Sequence, residues 1–277
     1  MSDLSDRAAT RFGISISTGE DLPENGTLTG ILERRTIRRY ADRAVPDGLR
    51  KILLACAQSA PAKSDLQQYA IIDITDADRK QKVAELSGTA WLATAPILLV
   101  FCADIRRAQR ICEMRGKPYA QNTLDSFMNA VIDASLAFQN YVTAAEAAGL
   151  GCCPISQVRR DLGLMAELCA LPDGVVPIAG LAAGWPAEER DVTLRLPPAV
   201  VVHENAYDDT HLAEEIDAYD QRRHALRPTP PDKQALTDKY GIADFYGWSE
   251  NQARRLSVPD GLTNLRTYLE KHGFNLC

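Results

Sequence analysis

Four arginines within six residues are the feature of this sequence that points most directly to chemistry. They stand in the segment Arg34-Arg35-Thr36-Ile37-Arg38-Arg39-Tyr40, inside a chain whose formal net charge is -6. A guanidinium binds phosphate through two parallel hydrogen bonds and keeps its charge, and a threonine hydroxyl adds a further donor. The segment predicts either a phosphate clamp or a solvated basic face paired with Glu33 and Asp42, and its composition alone favours neither.

Length and composition narrow the classes of protein. The chain has 277 residues, of which 45% are hydrophobic, enough for one large domain or two small ones, and no linker divides it. The net charge of -6 argues against a nucleic-acid partner, which requires a broad basic surface. The N-terminus is polar, and the longest apolar run, Ala95 to Ala103, is too short to span a bilayer. We expect a cytoplasmic protein that does not bind membranes.

The sequence also lacks the patterns of several familiar active sites. Its seven cysteines are scattered, and Cys152 and Cys153 are adjacent rather than in a C-x-x-C pair, so reduced, structural cysteines are expected. The four histidines have no metal-ligand spacing, and we predict no metal site. There is no nucleophile elbow or phosphate-binding P-loop. Gly149-x-Gly151 follows a helical pattern and is interpreted as a helix terminus rather than a dinucleotide-binding turn.

Hydrophobic periodicity predicts the elements that must position these residues. Two helices within residues 28–58 flank the arginine segment, and an apolar helix from Thr123 to Ala148 is predicted to be buried at the centre. The other predicted helices are at 79–86 and 158–171, and the predicted strands are at 69–75, 96–102, 151–156 and 175–183. We expect an α+β fold in which helices pack on a central mixed β-sheet.

The order of four segments resembles the nitroreductase family of FMN enzymes. The segments are the arginine segment, Ser59 to Gln67, Gly149 to Ile155 and Pro177 to Pro186. In the tail, Leu196-Pro197, His203-Glu204-Asn205-x-Tyr207, Tyr219-Asp220 and Trp248-Ser249 resemble the NADPH-dependent, oxygen-insensitive group A branch. The resemblance implies a nitroreductase-like fold, an intertwined homodimer with FMN at two interface sites, and a C-terminal extension that packs on the dimer. It suggests an N-terminal extension over 1–27, an FMN-binding domain over 28–202 and the C-terminal extension over 203–277.

The same resemblance assigns cofactor-binding residues position by position. By this alignment Arg34, Arg35, Thr36 and Arg38 bind the phosphate and ribityl chain, and Ala62, Lys63, Ser64 and Gln67 border the pyrimidine side and the substrate opening. Pro154, Ile155, Ser156 and Gln157 match a segment whose backbone N–H points at flavin N5, and Arg195 matches a residue near the phosphate.

Several residues depart from the family pattern. Lys63 replaces a residue of a loop that is often serine-rich, and it is either a cation that stabilises the anionic reduced flavin or an exposed loop lysine. Ser156 and Gln157 replace two glycines, which narrows the pocket or alters the local path of the chain. Thr89 and Thr193 stand where relatives have a glutamine on the flavin and a lysine near the phosphate.

The function implied by the resemblance is an FMN-dependent NAD(P)H oxidoreductase with a ping-pong mechanism. Hydride passes from NADPH through the flavin to an electrophilic small molecule, such as a nitroaromatic, a quinone or a free flavin. Because the cofactor carries out the chemistry, no catalytic acid or base is assigned. We expect Arg222, Arg223 or Arg227 to bind the 2′-phosphate of NADPH, although arginines are also ordinary at a solvated helix end. The alternatives are a flavin reductase that supplies reduced FMN to a partner, and a non-catalytic flavin-binding protein.

Overall fold

The computed structural model describes residues 4–16, 25–259 and 264–276, and over these ranges it contains twelve α-helices and four β-strands. The helices are α1 (Leu4–Phe12), α2 (Gly26–Glu33), α3 (Asp47–Gln58), α4 (Ala77–Ser87), α5 (Arg106–Met114), α6 (Leu124–Ala147), α7 (Leu162–Leu168), α8 (Pro198–Val201), α9 (Leu212–Leu226), α10 (Thr237–Tyr240), α11 (Trp248–Leu256) and α12 (Leu265–Lys271). The strands are β1 (Tyr69–Asp73), β2 (Ile97–Asp104), β3 (Gly151–Ile155) and β4 (Val175–Gly184).

The chain divides into two compact units. The smaller unit consists of residues 1–34 and 191–260, and the larger unit of residues 35–190 and 261–277. The larger unit contains all four strands and helices α3 to α7 and α12, whereas the smaller unit is built from helices and irregular segments. The boundaries expected at 27/28 and 202/203 come from the family pattern and stay a prediction.

The sheet of the larger unit has the strand order β1-β2-β4-β3. All three strand pairs are antiparallel, so the expectation of a mixed sheet is wrong for the strands themselves. A parallel pairing occurs at an isolated bridge, where Thr36 pairs with Cys152 of β3. The predicted α+β class is confirmed, because helices pack on both faces of this sheet.

The central strand β2 is buried along its whole length, as its apolar sequence predicts. Its alternate side chains point to opposite faces, so Leu99 and Phe101 pack against α3 and α6. Leu98 and Val100 pack against Val83 of α4 and neighbouring residues of α7 on the other face. The sheet is therefore sandwiched between two helical layers, and the ends of β3 and β4 are held rigidly by this core.

The long predicted helix is present as α6, but one of its faces is exposed. Thr123 caps its first turn by accepting a hydrogen bond from the Ser126 N–H, and Gly149 follows its end with a φ of 85°. Apolar side chains four residues apart form what we call the α6 stripe, in which Leu124 is 49% exposed, Met128 52%, Ile132 46% and Leu136 37%. Within one chain the helix is therefore buried on one side only.

Other predicted elements match the structure closely, within a few residues at each end. The predicted helix at 158–171 is shorter: it consists of a 3-10 turn, Gln157–Arg159, followed by α7. None of the helices in the described ranges has both the length and the apolar character needed to cross a bilayer.

Candidate functional site

The arginine segment is extended and lies between the two predicted helices. Helix α2 ends at Glu33, and Arg34 has the non-helical angles φ -53° and ψ 133°. Three residues further along, the Ile37 N–H donates to the carbonyl of Cys152 in β3 over 3.1 Å. On a helix, arginines four residues apart would repel one another. This segment is extended, and alternate side chains of an extended segment point in opposite directions, so that repulsion does not arise here.

The other end of the segment is tied to the chain that follows β4. Tyr40 forms an antiparallel bridge with Pro186, and the Ala41 N–H donates to the Trp185 carbonyl over 2.8 Å. The Ala187 N–H donates to the Arg39 carbonyl over 3.0 Å. The main chain around the arginines is therefore fixed on both sides by backbone hydrogen bonds.

A glycine in β3 allows this close approach. A Cβ atom placed on Gly151 would lie 2.6 Å from both Cβ and Cγ1 of Ile37, a distance that real Cβ atoms do not adopt. Ile37 is 5% exposed, and its buried side chain anchors the arginine segment against Gly151 of β3. Gly149-x-Gly151 is thus a helix terminus followed by a packing glycine, which confirms the choice against a dinucleotide-binding turn.

Polar contacts complete the surroundings of the arginines. The Arg35 Nη1 donates to the Arg190 carbonyl over 3.2 Å, and the Arg38 N–H donates to Glu188 Oε1 over 3.4 Å. The hydrogen bond from Arg190 lowers the pKa of the Glu188 carboxyl, which therefore stays ionised. Burial raises the pKa of Tyr40, whose protonated hydroxyl donates to the Ile37 carbonyl over 3.0 Å. The predicted pairing partner Glu33 instead forms an ion pair with Arg7 of α1.

A cleft of about 640 Å³ opens beside this segment in the larger unit. It is lined by Arg38, Gly88, Thr89, Ala90, Trp91, Cys153, Pro154, Ile155, Ser156 and Gln157. This volume is within the range of small-molecule sites, and the lining combines one cation, two hydroxyls and an aromatic ring. The structure thus brings together six residues that the sequence analysis assigned to the cofactor: Arg38, Thr89 and the four residues from Pro154 to Gln157.

A 3-10 turn follows β3 in the lining of the cleft. Ser156 begins the 3-10 turn, and the hydrogen bonds of that turn start with the Arg159 N–H donating to the Ser156 carbonyl. The N–H groups of Gln157 and Val158 precede that bond, so the turn itself does not use them. Ser156 and Gln157 are exposed. Their side chains therefore lie at the edge of the cleft, and the replacement of two glycines by these residues does not close it.

The loop Ala62–Gln67 does not line this cleft. Lys63, Ser64 and Gln67 are exposed, and Ser64 and Gln67 have left-handed φ angles of 50° and 52°. Asp133, a buried carboxylate of α6 that is 1% exposed, accepts hydrogen bonds from both ends of the loop. The N–H of Lys63 donates to Asp133 Oδ1 and that of Gln68 to Asp133 Oδ2, both over 2.9 Å.

The remaining predicted residues belong to the smaller unit. Arg34 is half-buried directly after α2, and Arg195 is exposed, with its Nη1 donating to the Thr193 hydroxyl over 3.1 Å. On α9, the Arg223 Nη1 donates to the Tyr219 hydroxyl over 3.2 Å. Arg222 is half-buried, and its Nε and Nη2 are buried without a hydrogen-bond partner among the described residues. Arg227 caps the end of α9 and is exposed.

The donor set of the cleft suits a flavin. A flavin mononucleotide has a planar apolar ring with polar edges and a phosphate that carries negative charge. The lining contains apolar surface from Trp91 and Pro154, hydroxyl groups from Thr89 and Ser156, and a cation from Arg38. Nothing in this donor set conflicts with the cofactor that the sequence predicts.

Comparison with known proteins identifies the family. The pattern of the Nitroreductase family matches residues 31–185, and that of the Nitroreductase family C-terminal domain matches residues 194–277. The chain belongs to the nitroreductase family. The predicted resemblance is therefore confirmed, and the arginine segment, the loop at 62–67 and the end of β3 all lie within the first matched range.

Related proteins match between 65% and 92% of this chain. A Bacillus subtilis protein named FMN reductase, NAD(P)H, is 33% identical over 257 residues, 91% of this chain and 99% of the relative. The oxygen-insensitive NADPH nitroreductase of Salmonella typhimurium is 38% identical over 183 residues, 65% of this chain and 74% of the relative. The structure of B. megaterium NfrA2 is 32% identical, has a TM-score of 0.82 and matches 92% of this chain and 100% of that one.

Sequence reasoning missed three residues that contact the predicted positions or line the cleft. Asp133 is a carboxylate among the small apolar residues of α6, and an acid in that position is the signal that could have revealed it. Trp91 lines the cleft but lies outside every motif that was considered. Arg11 lies in the N-terminal segment, which the family resemblance does not cover.

Proposed function

We propose that this chain is an FMN-dependent NAD(P)H oxidoreductase of small electrophilic molecules, with a ping-pong mechanism. The observation that carries the proposal is the cleft in which Arg38, Thr89 and the end of β3 meet, at positions that the family resemblance assigns to the flavin. When bound, FMN would supply the hydride-transfer chemistry between the nicotinamide and the acceptor. The protein contributes binding, orientation and electrostatics rather than a catalytic acid or base.

Different residues hold different parts of the cofactor. Arg35, Thr36 and Arg38, together with Arg34 and Arg195, would bind the phosphate and ribityl chain. The N–H groups after Ile155 would contact the ring edge, with Thr89 as a further polar contact. Lys63, Ser64 and Gln67 would face the pyrimidine side and the substrate opening, where the Lys63 ammonium would favour the anionic reduced flavin.

The exposed α6 stripe supports a homodimer. Four large apolar side chains in one row on the longest helix are an unusual surface for a monomer. A two-fold interface that buried this row would also bring loop 62–67, anchored on the same helix through Asp133, towards the flavin site of the partner. This accounts for a loop that the resemblance assigns to the flavin but that does not line the cleft of its own chain. Light scattering should give a dimer, and a monomer that binds FMN would contradict this arrangement.

The names of relatives support the choice of electron donor, and the cysteines support the choice of compartment. Relatives named for NADPH favour NADPH as donor, with Arg222, Arg223 or Arg227 as candidates for the 2′-phosphate, and the buried, unpaired Nε and Nη2 of Arg222 make it the first to test. Cys56, Cys102, Cys112 and Cys169 have free thiols, in keeping with the reducing cytoplasm.

A flavin reductase is the second candidate, because two Bacillus subtilis relatives carry the name FMN reductase. The two functions differ in whether FMN stays bound during turnover. Retention of FMN by the protein after many cycles with NADPH and a nitroaromatic would favour the first, whereas release of reduced FMN would favour the second.

The proposal is tested by FMN binding to arginine variants. Arg35→Ala and Arg38→Ala should each weaken binding by about 1.5–3 kcal/mol, because each loses a charge-assisted contact to phosphate. Arg110→Ala is the matched control, since Arg110 is an exposed arginine on α5 that forms a salt bridge with Glu113 and lies outside the arginine segment. The Kd values are measured by titrating FMN with the apoprotein and monitoring the quenching of flavin fluorescence. Equal affinity in all four proteins would contradict the assignment of the arginine segment.

A further inference from the structure

A buried arginine lies on α1, before the region that the family pattern matches. Arg11 is 5% exposed. Its Nε donates to the Leu32 carbonyl over 2.8 Å, its Nη1 donates to the Thr193 carbonyl over 2.9 Å, and its Nη2 donates to the Arg34 carbonyl. One guanidinium thus joins two segments of the smaller unit that are 159 residues apart, from Arg34 to Thr193.

Two of these carbonyls lie where α2 ends: that of Leu32 is in the last turn of the helix, and that of Arg34 is in the first residue of the arginine segment. The last carbonyls of a helix have no partner within the helix and carry the negative end of its dipole. A buried guanidinium that donates to them is stabilised by that partial charge, and it fixes the direction in which the chain leaves the helix. Here the chain leaves at Arg34, the first residue assigned to the phosphate.

The second segment is fixed at three consecutive residues. Besides the bond from Arg11 to the Thr193 carbonyl, the Arg195 N–H donates to the Arg11 carbonyl over 2.9 Å. The carbonyl of Leu194, the residue between them, accepts from the Tyr219 hydroxyl over 3.2 Å. The exposed Arg195 guanidinium donates to the Thr193 hydroxyl over 3.1 Å, so both its backbone and its side chain depend on the segment that Arg11 holds.

We propose that Arg11 is a positioning residue for the phosphate of the bound flavin. It holds the main chain at Arg34 and at Thr193 to Arg195, and it thereby places two guanidiniums that the proposed function assigns to one phosphate. This inference rests on the proposed FMN function.

Comparison of FMN with riboflavin, which lacks the phosphate, separates this role from general support of the fold. Arg11→Met keeps an apolar stem of similar length and removes all three donated bonds, and Arg11→Lys keeps the charge but cannot reach three carbonyls at once. In both variants the Kd of FMN should rise at least about tenfold, equivalent to about 1.4 kcal/mol, while that of riboflavin changes less than about twofold. Arg7→Ala is the control, because Arg7 also ties α1 to Glu33. It should leave both affinities unchanged.

The outcomes are distinct. If Arg11→Met does not fold, as judged by circular dichroism, Arg11→Lys decides, because it keeps the buried charge. Suppose that wild type binds FMN. Arg11 variants that bind FMN as tightly as wild type, or that lose affinity for FMN and riboflavin equally, would then overturn the positioning role alone. Wild type that binds neither ligand would overturn the proposed function, and this inference with it.

Discussion

The arginine segment and the loop at 62–67 are both assigned to the flavin, yet they are held in place by different means. The arginine segment is hydrogen-bonded to β3 on one side and to the chain after β4 on the other, and Ile37 anchors it in the core. The loop is exposed, has left-handed residues, and depends on one buried carboxylate, Asp133. The difference teaches that the segment proposed to bind the phosphate is fixed by the core, whereas the loop proposed to border the substrate depends on a single carboxylate.

The largest effect should come from Gly151, the glycine of β3 that packs against Ile37 of the arginine segment. Gly151→Ala places a Cβ against Ile37 and should destabilise the protein by about 3 kcal/mol and lower FMN affinity, because overpacking in a rigid core displaces the backbone. Chemical denaturation and flavin titration measure the two quantities. Gly48→Ala is the control, since a Cβ there meets nothing within 4 Å. A Gly151→Ala protein with wild-type stability and affinity would show that the segment is not fixed by the core.

A smaller and more selective effect is expected at Asp133. Asp133→Asn removes the charge and one acceptor, so one of the two loop N–H groups loses its partner at a cost of about 1–2 kcal/mol. We expect kcat/KM for a nitroaromatic acceptor to fall while the Kd of FMN changes less than about twofold, because only the loop is released. Asp125→Asn, an exposed acid in the first turn of the same helix, should leave both unchanged. Equal losses in both quantities would mean that the loop and the phosphate end are not independent.

The smallest effect should be a gain in stability within the loop. Gln67 has a φ of 52°, which costs a residue with a side chain about 1 kcal/mol, so Gln67→Gly should raise the free energy of unfolding by up to about 0.5 kcal/mol. Leu66→Gly in the same loop should lower it, since Leu66 has an ordinary φ of -74°. Thermal unfolding compares the two. Loss of stability in Gln67→Gly would show that its side-chain contact with Asp65 outweighs the strain.

Sequence reasoning predicted the parts of this protein that depend on local pattern. The helices on either side of the arginines, the buried strand β2 and the helix terminus at Gly149 follow from periodicity and glycine alone. The sense of the strand pairs did not follow, because alternating helices and strands are compatible with either direction until the connections are known. The exposed face of α6 was also missed, since an apolar helix surface looks the same in sequence whether its own chain or a second copy covers it.

The residues that sequence reasoning missed form hydrogen bonds with residues far away in sequence. Asp133 contacts loop positions 70 and 65 residues away, and Arg11 reaches Thr193 across 182 residues. No spacing rule connects such pairs, because the tertiary fold alone brings them together. The departures from the family pattern at Ser156 and Gln157 are likewise understood only in the structure, where both side chains are exposed at the start of a 3-10 turn.

Anaerobic reduction of the bound cofactor by NADPH tests the central claim most directly. The purified protein, loaded with FMN and freed of excess flavin, should show the flavin absorption band at about 450 nm. One equivalent of NADPH should bleach this band. A nitroaromatic or quinone added afterwards should restore the band, in keeping with a ping-pong cycle. A protein that binds FMN but whose band persists with both NADPH and NADH would contradict the account and leave a flavin-binding protein without oxidoreductase activity.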